Sequence, residues 1–176
     1  MHSKLLQKIY PKEIKKVLLF FTIGLAALFC LYSYGYKGTI SEKQIVKDIM
    51  EYPMVTILQR CKNDYSYTDE DMIVIEKELK RYFVLSALNK PGLGMYSKDV
   101  DNLWHTFILF TKEYANFCKN HTNGFIHHIP EIDKTLTPEK LEENRKDFQA
   151  FIKSYEETFQ EEMHPIWFLD MCENPS

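Results

Sequence analysis

Beyond residue 40, every apolar stripe in this chain repeats at three- and four-residue intervals, and none alternates. That spacing puts apolar side chains on one side of a helix, whereas a half-buried strand needs a period of two. The expected fold is therefore all-α. Met72, Ile75, Leu79, Tyr82 and Ser86 form one stripe. Thr68 opens it, with Asp69, Glu70 and Asp71 placed favourably on the first turn, and Asn89-Lys90-Pro91-Gly92 ends it. Ser41 with Gln44 three residues on is a capping-box pattern, and Pro53 must kink or restart the helix it opens. Ser97 caps a helix predicted to reach about Asn120, where Asn123-Gly124 supplies a left-handed stop. Thr137-Pro138 is a cap followed by proline at the first helical position. Leu141, Phe148, Phe151, Ile152, Tyr155 and Phe159 make the stripe that follows, closed by Pro165. Together these signals predict a compact domain of about four helices over residues 41–176, with Trp167 and Phe168 as a C-terminal plug.

A different constraint precedes the domain. Val17 to Tyr36 carries no charge and is long enough to cross a bilayer core, which takes roughly 20 apolar residues. Lys15 and Lys16 flank its start, and Tyr32, Tyr34 and Tyr36 stand at its end, where amphipathic rings favour the headgroup level. Residues 1–16 are basic, with Lys4, Lys8, Lys12, Lys15 and Lys16 facing only Glu13. The positive-inside bias places this N-terminus in the cytoplasm and the helical domain outside it, on a single-pass signal-anchor. A cleaved signal peptide is the alternative. The exit lacks a small-x-small cleavage site, and Phe29 precedes Cys30 where a lipoprotein signal has small residues.

Forty-five per cent hydrophobic and 27% charged residues over 176 positions describe one globular domain, and 14% aromatics give it a core without disulfide staples. The net charge of -3 hides an acidic part after Ser41, which argues against nucleic acid as a partner. Cys61, Cys118 and Cys172 are widely spaced and contain no C-x-x-C pair.

Four of the six histidines, His105, His121, His127 and His128, lie between Met95 and Pro130. On the helix after Ser97, Val100, Trp104, Phe107, Thr111, Tyr114, Cys118 and His121 follow one face and form a core stripe. Asp101 and His105 lie one turn apart on its flank, so a carboxylate can orient an imidazole, or both can reach one cation. Cys118 is roughly 20 Å from His105 along a straight helix and cannot share that cation unless the helix breaks. After Gly124 an extended run sends His127 and His128 to opposite sides, leaving only one to join Asp101 and His105. Cys118 and His121 have nucleophile-and-base spacing, but an apolar stripe disfavours a thiolate.

The run D-x-x-W-H-x-F-I-L-x-T-x-x-Y-x-x-F-C, then G-F-I-H-H-x-P, from Asp101 to Pro130, resembles uncharacterised bacterial relatives of the plant glycine-rich-domain proteins, as does Leu93 to Val100 before it. Asp99, Asp101, Trp104, His105 and Thr106 reproduce the plant D-x-D-x-x-W-H-T-H run, with Phe107 at the position of its second histidine. The resemblance covers about a third of the domain. It implies a shared fold and a functional region here, and carries no activity.

Two roles follow. No complete metal set or nucleophile triad assembles from spacing alone, so the first expectation is a membrane-anchored interaction or scaffold module, with a protein partner and structural histidines. The alternative is a metal-binding domain or metal-dependent hydrolase. There Asp101, His105 and His127 or His128 hold a divalent ion such as zinc, with one position open to water.

Overall fold

In the computed structural model, residues 24–25, 41–129 and 137–168 are described. The chain divides into Met1–Ile40 and Ser41–Ser176, and the fold below is that of the second unit. Among the described residues it is all helical: α1 (Glu42–Met50), α2 (Val55–Tyr65), α3 (Asp69–Ala87), α4 (Lys98–Leu109), α5 (Thr111–His121) and α6 (Pro138–Phe159), with a closing 3-10 turn at Pro165–Trp167. No helix among the described residues is long and apolar enough to cross a membrane. The span predicted over 17–36 lies outside the described residues apart from Gly24 and Leu25, as does the basic segment 1–16.

The helices start where side-chain oxygens replace missing backbone acceptors. Ser41, Thr68, Ser97 and Thr137 each accept a backbone N–H from the first turn, and Thr68 and Asp71 form a reciprocal capping box. Pro53 separates α1 from α2 rather than kinking a continuous helix. Asn89 and Gln160, both at positive φ, mark the exits of α3 and α6.

Helix α3 is the axis of the domain, with α1, α2, α4 and α6 all packed on it. Its second half, Glu78 to Leu85, is buried on every side, which is why one-sided amphipathicity fades there. Phe83, fully buried, meets the rings of Trp104, Phe107, Tyr114 and Phe117. Each such buried ring contributes about 1.5–3 kcal/mol relative to exposure.

Several sequence expectations are corrected. The helix predicted from Ser97 to Asn120 is two helices, broken at Phe110, whose backbone (φ -81°, ψ 58°) leaves the helical region. No glycine or proline marks the break. The bend lets Phe107 from α4 and Phe117 from α5 both reach Phe83, and it leaves Thr111 exposed rather than in the core stripe. This break and the Pro53 restart give six described helices where about four are predicted. Nor is Asn123-Gly124 a left-handed stop: α5 ends on extended Thr122, whose N–H and Oγ1–H both donate to the Cys118 carbonyl. In α6, Phe148, Phe151 and Tyr155 are buried as the stripe predicts, whereas Leu141 is exposed.

The C-terminal plug closes on a polar centre. Glu78, 1% exposed, accepts hydrogen bonds from Tyr155 Oη (2.9 Å) and Trp167 Nε1 (2.8 Å). Arg81 reaches the same Tyr155 hydroxyl, pairs with Glu161 at 2.6 Å, and lies over the Tyr155 and Phe159 rings. Burial, followed by the Glu78 charge, holds the Tyr155 phenol well above its usual range, so it remains a donor. Trp167 is fully buried against Phe151 and Tyr82, while Phe168 is only partly covered.

Candidate metal centre

Helix α4 is fixed at its first turn by Tyr67, whose hydroxyl donates to Asp99 (2.6 Å) and accepts from Asn102 (2.8 Å). This holds Asp99 away from the cleft described below. Asp101 and His105 leave the same helix one turn apart, with His105 Nδ1 3.6 Å from Asp101 Oδ2. At that distance the two are near neighbours rather than hydrogen-bonded. His128 arrives from the loop after α5 and meets the other carboxylate oxygen, Nε2 to Oδ1 at 2.7 Å. Its ring lies 4.4 Å from the ring of His105 and stands edge-on to Trp104 at 4.5 Å. One ligand atom from each of Asp101, His105 and His128 falls within 4.8 Å of the other two.

This geometry is compatible with a small divalent ion. Zinc bonds of about 2.0–2.2 Å in a tetrahedral arrangement put donors roughly 3.3 Å apart. The His128–Asp101 pair would open by roughly half an ångström and the His105 imidazole would close, which side-chain rotation supplies. Exposure falls from His105 (46%) through Asp101 (26%) to His128 (13%), so the open side of the cluster is that of His105.

The cluster lies on one wall of a cleft of about 930 Å³. Gly92 to Lys98 line another side, and Lys140, Asn144 and Asp147 contribute from α6. The Gly92–Ser97 segment is held against α6 by close approach: Gly92 has φ +79°, and a Cβ there would collide with the Asp147 carbonyl oxygen and the Phe151 nitrogen. Tyr96 Oη donates to the Gly92 carbonyl at 3.1 Å, and Ser154 Oγ donates to that of Pro91 at 3.3 Å. Tyr82 and Tyr96 line the cleft with phenols pushed up to about 12, mainly by burial. A second cleft of about 360 Å³ lies beside it and shares Tyr82, Leu93, Trp104 and His127.

The remaining sequence candidates lie outside the cluster. His127 is exposed, rests on the Phe125 ring at 4.9 Å and stands outside the cluster. His121 packs between Tyr52 and Phe117, with Nδ1 buried and without a partner. Cys118 is 1% exposed and burial raises its thiol, so it is a core residue despite the helix break. His164 caps the 3-10 turn, its Nδ1 accepting from the Ile166 N–H at 3.2 Å. The elements that seat His128, notably Tyr114, carry no signal of that role in the sequence.

The model of the family described as UCP032817-like matches residues 42–163. The chain belongs to the UCP032817-like family. In this UCP032817-like protein the matched region contains Asp101, His105 and His128 and lies wholly after the apolar run 17–36. No curated protein and no solved structure matches the chain.

Proposed function

We propose that this chain is a metal-binding helical domain that holds a divalent ion such as zinc with Asp101, His105 and His128. One observation carries the reading: a carboxylate and two imidazoles from two separate elements converge on the wall of a large open cleft. Two nitrogens and one oxygen are a donor set of catalytic rather than structural zinc, which usually has four protein ligands. Three protein donors leave a position for water facing the cleft. The ion would lower that water's pKa, making hydrolysis the default reaction class.

The test is metal analysis of the purified full chain. Stoichiometric metal lost in His105→Ala and His128→Ala but kept in His127→Ala supports the reading, and a metal-free wild type after zinc loading refutes it.

A second reading is favoured by the 2.7 Å His128–Asp101 contact, which already satisfies both groups without an ion. In it the pair is a structural clasp of a scaffold module that docks a protein partner. Absence of metal together with a lower melting temperature in His128→Ala would support that role. For both readings we carry the apolar run 17–36 as a single-pass anchor that leaves the domain extracytoplasmic, and kinship with the plant glycine-rich-domain proteins. A phosphatase fused after Ser176 should be active only outside the cytoplasm. Activity confined to a cytoplasmic reporter would reverse that topology.

A further inference from the structure

One buried phenol ties together both elements that carry the cluster. Tyr114, on α5, is 3% exposed. Its hydroxyl accepts from Trp104 Nε1 at 3.0 Å and donates to the backbone carbonyl of Ile126, two residues before His128. Trp104 stands between Asp101 and His105 on α4, and its ring backs the His128 imidazole at an interplanar angle of 71°. The loop's start is anchored separately, by Asn123 Nδ2 donating to the Ala87 carbonyl at 2.7 Å. The Ile126 side chain is itself buried.

From this arrangement we infer that Tyr114 and Trp104 are the positioning residues of the metal centre. The Tyr114 hydroxyl sets the loop against α4, the Trp104 ring stands edge-on against His128, and the loop imidazole is held beside Asp101 before an ion arrives. The inference rests on the metal reading of Asp101, His105 and His128. Its physical basis is the weakness of a ligand supplied by a loop: ordering that loop costs conformational entropy on binding unless folding has already ordered it. Two helix ligands come with their spacing fixed by α4, so His128 is the donor whose placement decides affinity. A buried phenol needs partners for its hydroxyl whatever its role, and here both partners lie on the two elements that carry the donors. Burial raises the Tyr114 phenol, so it stays a donor through the range where imidazoles bind metal.

The experiment uses the full-length chain and Co(II) as the probe, with affinity and the visible ligand-field spectrum read together. Tyr114→Phe removes one oxygen and keeps the ring; Trp104→Phe keeps an aromatic wall and removes the N–H. Both should weaken Co(II) binding by about 10–100-fold, the range seen when groups that orient metal ligands are replaced. Both should also change the position or intensity of the cobalt bands. Ile75→Val, in the α3 core, is the control for destabilisation alone, and should lower the melting temperature while leaving affinity and spectrum unchanged. If the wild type binds Co(II) and either folded variant matches Ile75→Val in affinity and spectrum, the positioning role is overturned. If the wild type binds no Co(II), or His128→Ala binds it equally well, the metal reading itself is overturned, a result distinct from the first.

Discussion

Replacing Glu78 by alanine should cost the domain about 3–5 kcal/mol. The carboxylate is 1% exposed and accepts from two neutral donors, Tyr155 Oη and Trp167 Nε1. Each of these donors, left buried without an acceptor, costs about 1–3 kcal/mol. Arg81 Nη1 also loses its buried partner, Glu78 Oε1 at 3.5 Å, but keeps Glu161 at 2.6 Å, so it is not left as a lone buried charge. The cavity vacated by the side chain adds to the total. Glu78→Gln retains one carbonyl acceptor and turns the other position into a donor facing donors, so about 1–2 kcal/mol is expected. Urea unfolding of both variants, followed by far-UV circular dichroism and by tryptophan fluorescence, gives these differences. A loss below about 1 kcal/mol in the alanine variant would mean that Tyr155 and Trp167 find other acceptors. Glu78 would then not be the acceptor that holds the polar centre together.

Tyr82 and Tyr96, both raised to about 12, lower stability at alkaline pH. Their protonated forms are favoured by folding, so that contribution is complete below about pH 10, the ordinary phenol value, and is lost as pH rises toward 12. Tyr82→Phe should flatten the decline in urea midpoint across that window, and an unchanged slope would remove Tyr82 from the explanation. Glu161 is held below its usual range by Arg81, so its contribution is present above the ordinary carboxylate value and is lost as pH falls through the depressed one. Glu161→Gln should therefore show a smaller drop in melting temperature between pH 6 and pH 3 than wild type. Equal drops would show the pair to be thermodynamically silent. Gly92→Ala must both abandon a favoured φ and displace α6 backbone, so a loss of more than about 2 kcal/mol in urea unfolding is expected. A loss of a few tenths would mean that the cleft loop moves freely from α6.

What was legible in the sequence was local. Ser41, Thr68, Ser97 and Thr137 announce helix starts because a cap acts over three residues, and all four accept the first-turn N–H they imply. Asp101 and His105 are likewise a one-turn relation. Alternation along an extended loop narrows His127 and His128 to one, but which one is decided by Trp104 and Tyr114, through contacts that sequence spacing does not encode. The break at Phe110 escaped for the same reason, since it is imposed by rings gathering on Phe83 rather than by a helix-breaking residue. Glu78 did leave a signal. Ile75, Glu78, Leu79 and Tyr82 share one face of α3, and a carboxylate on an apolar face implies buried donors elsewhere in the chain.

The donor that completes Glu78 lies eighty-nine residues downstream, at Trp167. Vectorial synthesis at roughly 5–20 residues per second leaves an interval of roughly 5–20 seconds in which α3 has emerged from the ribosome and its last partner has not. During that interval the carboxylate has Arg81 beside it and gains Tyr155 only late, and until the indole arrives water must fill the remaining position, so α3 stays open to solvent there. Closure therefore waits for the end of the described chain. A ribosome-bound nascent chain stalled before Trp167 is exposed should stay open to protease, and one stalled after it should resist.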